Sequence, residues 1–219
     1  MDLDARARLY AALGDPARLA MVDALRMGDL TFRELADVAG VRGNLAAHHL
    51  DVLEAADVII RRASEGDRRR RYLGLTHETL AELALPVALL PSTVLFVCTH
   101  NSARSQFAAA RWMQQTSLAA DSAGTKPAHV VNPMAVAAAD EFGLDLRGAA
   151  PKGYGDVRLA PELIISVCDR AHEADLPGTA PNVHWSIPDP VLAGDLSAFR
   201  SAFASIAERI DALAGPAPT

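Results

Sequence analysis

Cys98 and Arg104 stand six residues apart, between an apolar run and a helical pattern. The run Thr93-Val94-Leu95-Phe96-Val97 reads as a buried parallel strand. It passes directly into Cys98-Thr99-His100-Asn101-Ser102-Ala103-Arg104-Ser105, after which Phe107, Ala108, Arg111 and Trp112 recur at helical spacing. A loop of this length at a helix N-terminus lets the backbone N–H groups of Thr99, His100, Asn101, Ser102, Ala103 and Arg104 converge on one tetrahedral oxyanion. The same donors and the helix dipole favour the thiolate form of Cys98, a nucleophile at neutral pH. Arg104 suits bidentate contact with two equatorial oxygens, which favours a trigonal-bipyramidal transition state. Ser105 is placed to donate a hydrogen bond to the thiolate. Asn101 tolerates a left-handed backbone and can brace the loop.

This loop resembles that of the low-molecular-weight protein tyrosine phosphatase family, and most closely the family's arsenate reductase branch. The likeness runs over about 93–213. Asp121-Ser122-Ala123-Gly124-Thr125 is expected after the second strand, and Asn132-Pro133 opens the next helix. Glu162 to Val167 reads as another buried strand that ends at Cys168, and His184-Trp185-Ser186-Ile187-Pro188-Asp189-Pro190 brings a carboxylate back on a loop. The resemblance implies that Asp189 is the general acid for the leaving oxygen; a turn or helix-capping aspartate is the plainer reading. Cys168 lies on the sheet edge that carries the phosphate loop. It falls where thioredoxin-coupled reductases keep a resolving thiol, and the plainer reading is a small buried hydrophobe. Those enzymes carry a third cysteine where this chain has Asp175, so the relay they use is incomplete here. The implied reaction is arsenate reduction through a Cys98 thiol-arsenate adduct. It needs no bound cofactor and no metal, but an external reductant: thioredoxin, mycoredoxin or a small thiol. Phosphotyrosine hydrolysis stays open, although Val191 and Leu192 follow Asp189-Pro190 where the eukaryotic-type phosphatases place tyrosines.

The first ninety residues carry a different pattern. Asp15-Pro16 is a helix start, with Leu19, Val22 and Leu25 at helical spacing and Gly28 as the stop. Thr31 and Glu34 form a capping box ahead of Leu35 and Val38. After Gly40 another helix begins near Gly43 or Asn44 and carries Leu45, Leu50 and Leu53 inward. Such a pair is a helix-turn-helix, whose second helix usually enters the DNA major groove. Residues 58–62 and 69–73 then read as two strands around the turn Ser64-Glu65-Gly66-Asp67. That hairpin is a wing, and Arg61, Arg62, Arg68, Arg69, Arg70 and Arg71 give it the local charge density that phosphate neutralisation requires.

Residues 9–77 resemble the ArsR-type winged-helix repressors, through Leu13-Gly14-Asp15-Pro16-Ala17-Arg18-Leu19 and Ala47-His48-His49-Leu50. The resemblance implies that Asn44, Ala47, His48 and His49 face the bases of double-stranded operator DNA while the wing arginines grip the backbone. It also implies a homodimer through helices at roughly 3–13 and 76–85. Arsenic-sensing members carry thiols near the positions of Thr31, Phe32 and Arg33, whereas both cysteines of this chain lie beyond residue 90. Arsenite capture by thiolates is therefore closed to this half. A repressor whose C-terminal pocket only senses an oxyanion is a further open reading, as is a winged helix used for protein contact.

Composition fits two halves of unlike chemistry. Lysine and arginine number 21 against 27 acids, a formal net charge of −6 that excludes a uniformly basic nucleic-acid binder but not a basic patch. Two cysteines exclude a disulfide-stapled scaffold and a four-thiolate metal site. No stretch approaches the roughly 18 apolar residues of a membrane span, and the charged N-terminus does not read as a signal peptide, so a soluble cytoplasmic protein is expected. Pro86 and Pro91 interrupt the segment Ala84–Ser92 and mark a linker. The expected architecture is an α+β winged helix-turn-helix domain over 1–90, followed by an α/β domain with a central parallel sheet over 91–219.

Overall fold

A computed structural model describes residues 2–76, 79 and 90–214. Most of the expected linker, and of the expected dimerisation helix at 76–85, lies outside the described residues. Spatial contacts divide the chain into two compact units, Met1–Ser64 with Arg68–Ala84 and Glu65–Asp67 with Leu85–Thr219.

The first unit runs α1 (Leu3–Leu13), α2 (Pro16–Leu25), β1 (Leu30–Thr31), α3 (Phe32–Val38), α4 (Gly43–Ala55), β2 (Ile59–Ala63) and β3 (Arg71–Leu75). Its three strands form an antiparallel sheet in the order β1-β3-β2. Asp15 caps α2 by accepting from the N–H groups of Ala17 and Arg18, and Pro16 fills the first helical position, where no N–H is needed. Thr31 and Glu34 make the expected capping box. Met21, Val22, Leu25, Leu35, Leu50 and Leu53 are buried.

Several details depart from the sequence reading. Leu19, Val38 and Leu45 are exposed, because a helical stripe is covered only where a neighbour reaches it. The hairpin strands lie one or two residues later than expected, with Ala63 opposite Arg71, so Arg68, Arg69 and Arg70 belong to the connection rather than to a strand. His49 is buried, its Nδ1 3.7 Å from Asp15 Oδ1, while Asn44 and His48 are exposed and Ala47 is partly so. The i to i+1 rotation of about 100° on a helix separates the two histidines. Arg61 pairs with Asp51 at 2.8 Å and Glu54 at 2.8 Å, both on α4, so its guanidinium is engaged within the unit.

The second unit runs β4 (Thr93–Cys98), α5 (Arg104–Thr116), β5 (Ala119–Gly124), α6 (Pro133–Glu141), β6 (Leu163–Ser166), α7 (Asp169–His172), β7 (Asn182–His184), α8 (Pro190–Ala193) and α9 (Leu196–Ala214). Its four strands are all parallel, in the order β5-β4-β6-β7. Asp121-Ser122-Ala123-Gly124 is part of β5 itself rather than a loop after it. The central strand β4 is buried along almost its whole length, as a parallel strand covered on both faces requires. α5 packs on β4 and β5, and α9 packs on α5 and α6. Phe107 and Phe203 stack there with centroids 4.0 Å apart, with Phe142 set edge-on to Phe107. Removing one of these rings, as in Phe203→Ala, is expected to destabilise this unit by about 3–5 kcal/mol. Both tryptophans, Trp112 and Trp185, are buried in it, so their fluorescence reads that transition directly. Among the described residues no helix is long and apolar enough to cross a membrane.

The chain leaves β4 for β5 on one side and reaches β6 on the other. The connections that follow β4 and β6 therefore diverge, opening a crevice at the carboxyl ends of the strands, the usual position of a ligand site in such sheets. Cys98 ends β4, and Cys168 follows β6 by two residues.

Candidate active site

The loop from Cys98 to Arg104 is held open by its own carbonyl groups. Those of Cys98, Thr99, His100 and Ser102 accept hydrogen bonds from the N–H groups of Thr125, Lys126, Ala128 and Asn132, at 2.8–3.2 Å. Because each peptide is planar and trans, the N–H dipoles of the same peptides aim the opposite way, across the concave side of the loop. The N–H of Asn101 meets the Cys98 sulfur at 3.2 Å, and the Ser105 hydroxyl lies 3.0 Å from that sulfur.

Asn101 is the brace. Its φ of 47° is left-handed, a conformation asparagine accepts more readily than most residues. Its side-chain amide donates to Ser105 and Ser122 at 2.9 Å each, and its carbonyl oxygen accepts from Gln106 at 3.1 Å and from the Lys152 N–H at 2.9 Å. All four of its amide positions are thereby used, and the residue is fully buried. His100 instead turns outward, with Nδ1 3.0 Å from the Lys126 carbonyl oxygen.

Gly124 lies opposite Cys98 in the register of β4 and β5. A Cβ placed there would stand 2.7 Å from the Thr99 oxygen and 2.9 Å from the Asn101 nitrogen, both backbone atoms of the loop. Gly124→Ala must therefore displace the loop. A fall of about 100-fold in kcat/KM is expected from a shift on the scale of an ångström, measured by steady-state kinetics.

Arg104, the first residue of α5, is buried. Its Nη1 donates to the Ile187 carbonyl at 2.6 Å, and its Nη2 lies 3.2 Å from Asp189 Oδ1. Burial opposes the guanidinium charge, but the charges of Cys168, Asp189 and Cys98 outweigh it and raise its pKa. Asp189 caps α8 by accepting from the Val191 N–H at 3.3 Å. The capping role and the pairing with Arg104 are thus both present.

The second sulfur belongs to this cluster. Cys168 is buried, and its Sγ lies 3.4 Å from the Thr99 hydroxyl and accepts from the Ala171 N–H at 3.4 Å. Burial pushes its thiol up, Arg104 pulls it down, and the nearby charge of Cys98 adds to the rise. Both cysteines are free thiols. Beside them, the buried pair His184–Asp169 (Nε2 to Oδ1, 3.1 Å) ties the end of β7 to the start of α7.

Cys98, Arg104, Ser105, Cys168 and Asp189, all singled out from sequence, therefore converge at one sheet edge. Tyr154 was not singled out, although its hydroxyl lies within electrostatic reach of both sulfurs. The His184–Asp169 pair was also missed as a pair. The one sequence signal for it was Asp169 immediately after Cys168. Among the described residues, no group of three or more metal-ligating side chains is gathered. Chemically, the arrangement offers a nucleophilic sulfur under a cradle of backbone donors, a fixed cation, a carboxyl group and a second thiol.

Residues 93–217 match the profile of a family described as low molecular weight phosphotyrosine protein phosphatase. Arsenate reductase from Bacillus cereus strain Q1 is 34% identical over 125 residues, covering 54% of this chain and 90% of that protein. Arsenate reductase from Brevibacillus brevis is 36% identical over 103 residues, covering 45% of this chain and 76% of that protein. The crystal structure of arsenate reductase from Archaeoglobus fulgidus is similar at 34% identity, with a TM-score of 0.50, covering 56% of this chain and 98% of that one.

Proposed function

The chain belongs to the low molecular weight phosphotyrosine protein phosphatase family through residues 93–217, and on that footing we propose that it is a thiol-dependent arsenate reductase joined to a DNA-binding regulator. What favours reduction over simple hydrolysis is the second sulfur at the loop, with Cys168 Sγ against the hydroxyl of Thr99, the residue next to the nucleophile.

Arsenate enters the cradle of loop N–H groups, with Arg104 on its equatorial oxygens. The Cys98 thiolate attacks arsenic, and one oxygen leaves as water after taking a proton from Asp189. The Cys168 thiolate then attacks the Cys98 sulfur. An S–S bond forms and the S–As bond breaks, its electron pair staying on arsenic, which leaves as arsenite. The two sulfurs have together lost two electrons. A redoxin dithiol or two equivalents of a small thiol restores them. In the hydrolytic alternative, water attacks the phosphorus of a Cys98 adduct and Cys168 is idle. Incubation with arsenate and a thiol system separates the two. Arsenite release supports reduction, and hydrolysis of a phosphotyrosine peptide with no arsenite formed supports the alternative.

The regulatory half of the reading rests on the order α3-α4-β2-β3 and its antiparallel hairpin. Asn44 and His48 on the early turns of α4 are exposed and suit base contact, with Ala47 between them, while buried His49 does not. Arg62, Arg68, Arg69, Arg70 and Arg71 remain the wing residues proposed for phosphate contact, while Arg61 pairs with Asp51 and Glu54. Leu3 and Tyr10 on α1 are exposed and suit a homodimer contact. Duplex DNA binding is expected to weaken in the double variant Arg69→Ala, Arg70→Ala. Its salt dependence should also flatten, by about 0.9 in the log–log slope for each phosphate that is no longer neutralised. Unchanged affinity and slope would remove the wing from the reading.

A further inference from the structure

Glu65, Gly66 and Asp67 belong to the second unit, although they lie far from the rest of it in sequence. Three side chains hold their main chain. The Glu65 N–H donates to Asp169 Oδ2 at 2.7 Å, and the Asp67 N–H donates to Glu173 Oε2 at 2.6 Å. Arg170 Nε donates to the Glu65 carbonyl oxygen at 3.3 Å. All three partners lie on α7 or cap it, directly after Cys168.

The Glu65 side chain thereby reaches the active site, and no step described above uses it. Its Oε1 accepts from the Asp189 N–H at 2.8 Å, and its Oε2 lies 3.7 Å from Arg104 Nη1. Arg104 Nη2 already faces Asp189 Oδ1, so the guanidinium that suits an oxyanion is shared by two carboxyl groups of the chain. A separation of 3.7 Å is an ion pair without a direct hydrogen bond. A tetrahedral oxyanion on the same fork makes two bonds of about 2.8 Å. Glu65 is therefore the weaker partner for Arg104, but its tether keeps it always at hand. Burial, with the charges of Asp189 and Asp169, pushes its carboxyl up against the pull of the Asp189 N–H and Arg104. A carboxylate so placed is held by Arg104 and released when Arg104 takes a better partner.

We propose that the Glu65 carboxylate is a built-in competitor for Arg104, which arsenate or phosphate must displace in order to bind. The inference rests on the reading of Arg104 as the oxyanion-binding residue. One anion is exchanged for another on the same guanidinium, and no covalent bond changes. The dissociation constant for the oxyanion is thereby raised by the reciprocal of the fraction of molecules in which Glu65 has withdrawn.

The test is calorimetric titration of the full chain with inorganic phosphate. Glu65→Gln keeps the side-chain length and an oxygen for the Asp189 N–H but removes the charge. It should bind phosphate about tenfold more tightly, the factor for a site that Glu65 holds about nine-tenths of the time. Glu173→Ala removes the acceptor of the Asp67 N–H and leaves Glu65 in the chain. It should shift the affinity in the same direction by a smaller factor. With arsenate, KM should fall in Glu65→Gln while kcat stays, a split that disturbed packing would not give. Unchanged or weaker phosphate binding by Glu65→Gln overturns the proposal; should that variant fail to fold, Glu173→Ala decides alone. Phosphate binding by Arg104→Ala as tight as the parent's would instead fail the oxyanion reading of Arg104. Absence of arsenite from the parent would fail the reductase reading, and the phosphate titration would still decide the role of Glu65.

Discussion

Cys98→Ser is expected to abolish arsenite formation, with a loss of about 10⁴-fold or more, the scale seen when a covalent nucleophile is removed. A serine hydroxyl in the same cradle is almost wholly protonated at neutral pH, and its oxygen cannot be the electrophilic partner of a disulfide. Both stages of the proposed reaction therefore fail together: adduct formation for want of a thiolate, and reduction for want of a sulfur. The fold is expected to survive, since the sulfur's polar neighbours are Ser105 and the Asn101 N–H and serine keeps a similar volume. Phosphate binding should also survive, because the N–H cradle and Arg104 are untouched. The measurement is arsenite release under excess thiol, alongside the rise in thermal midpoint that saturating phosphate produces. At 100 times its dissociation constant, phosphate contributes about 2.7 kcal/mol. Abolished turnover with retained phosphate stabilisation is the expected combination.

Arg104→Ala should fail in the complementary way. The guanidinium is fixed by the Ile187 carbonyl and Asp189 before any ligand arrives, so little is reorganised in the transition state. Removing it is expected to lower kcat/KM by about 10³-fold and to erase most of the phosphate-induced thermal shift. Arg104→Lys should recover only part of this, because an ammonium restores charge but not the planar fork that spans two oxygens. Arsenite release by the three proteins under excess thiol, with thermal midpoints in parallel, checks the prediction. Full activity in the lysine variant would show that charge alone is used.

Much of this site was legible in the sequence because the chemistry is local. A strand, the loop from Cys98 to Arg104 and a helix start are contiguous, and the placement of Cys98, Asn101, Arg104 and Ser105 around one point follows from where N–H groups point in such a turn. The caps at Asp15, Thr31 and Asn132 were legible for the same reason, since each acts within one helical turn. What escaped was long-range. Tyr154 lies beside the active-site loop only because Gly153 bridges Gly124, and the His184–Asp169 pair exists only because β6 and β7 lie side by side. In the first unit, periodicity marked the helices correctly but not the width of their covered stripes, so Leu19, Val38 and Leu45 proved exposed. The hairpin was read slightly early because a row of arginines carries no alternation from which register can be set, whereas the pairing of Ala63 with Arg71 sets it. The sequence places Arg61 among the phosphate-gripping residues because it does not reveal that Asp51 and Glu54 lie across from it.

Two sulfurs acting in sequence are the core of the proposed mechanism, and one experiment addresses both. The reduced chain is mixed with arsenate and no other thiol, then acid-quenched, with arsenite counted and disulfides mapped by mass spectrometry. The expected result is one arsenite per chain, one Cys98–Cys168 disulfide, and no arsenite from Cys168→Ser under the same conditions. No arsenite from either protein until a small thiol is added, and then equal release from parent and Cys168→Ser with no Cys98–Cys168 disulfide formed, would contradict the two-sulfur mechanism.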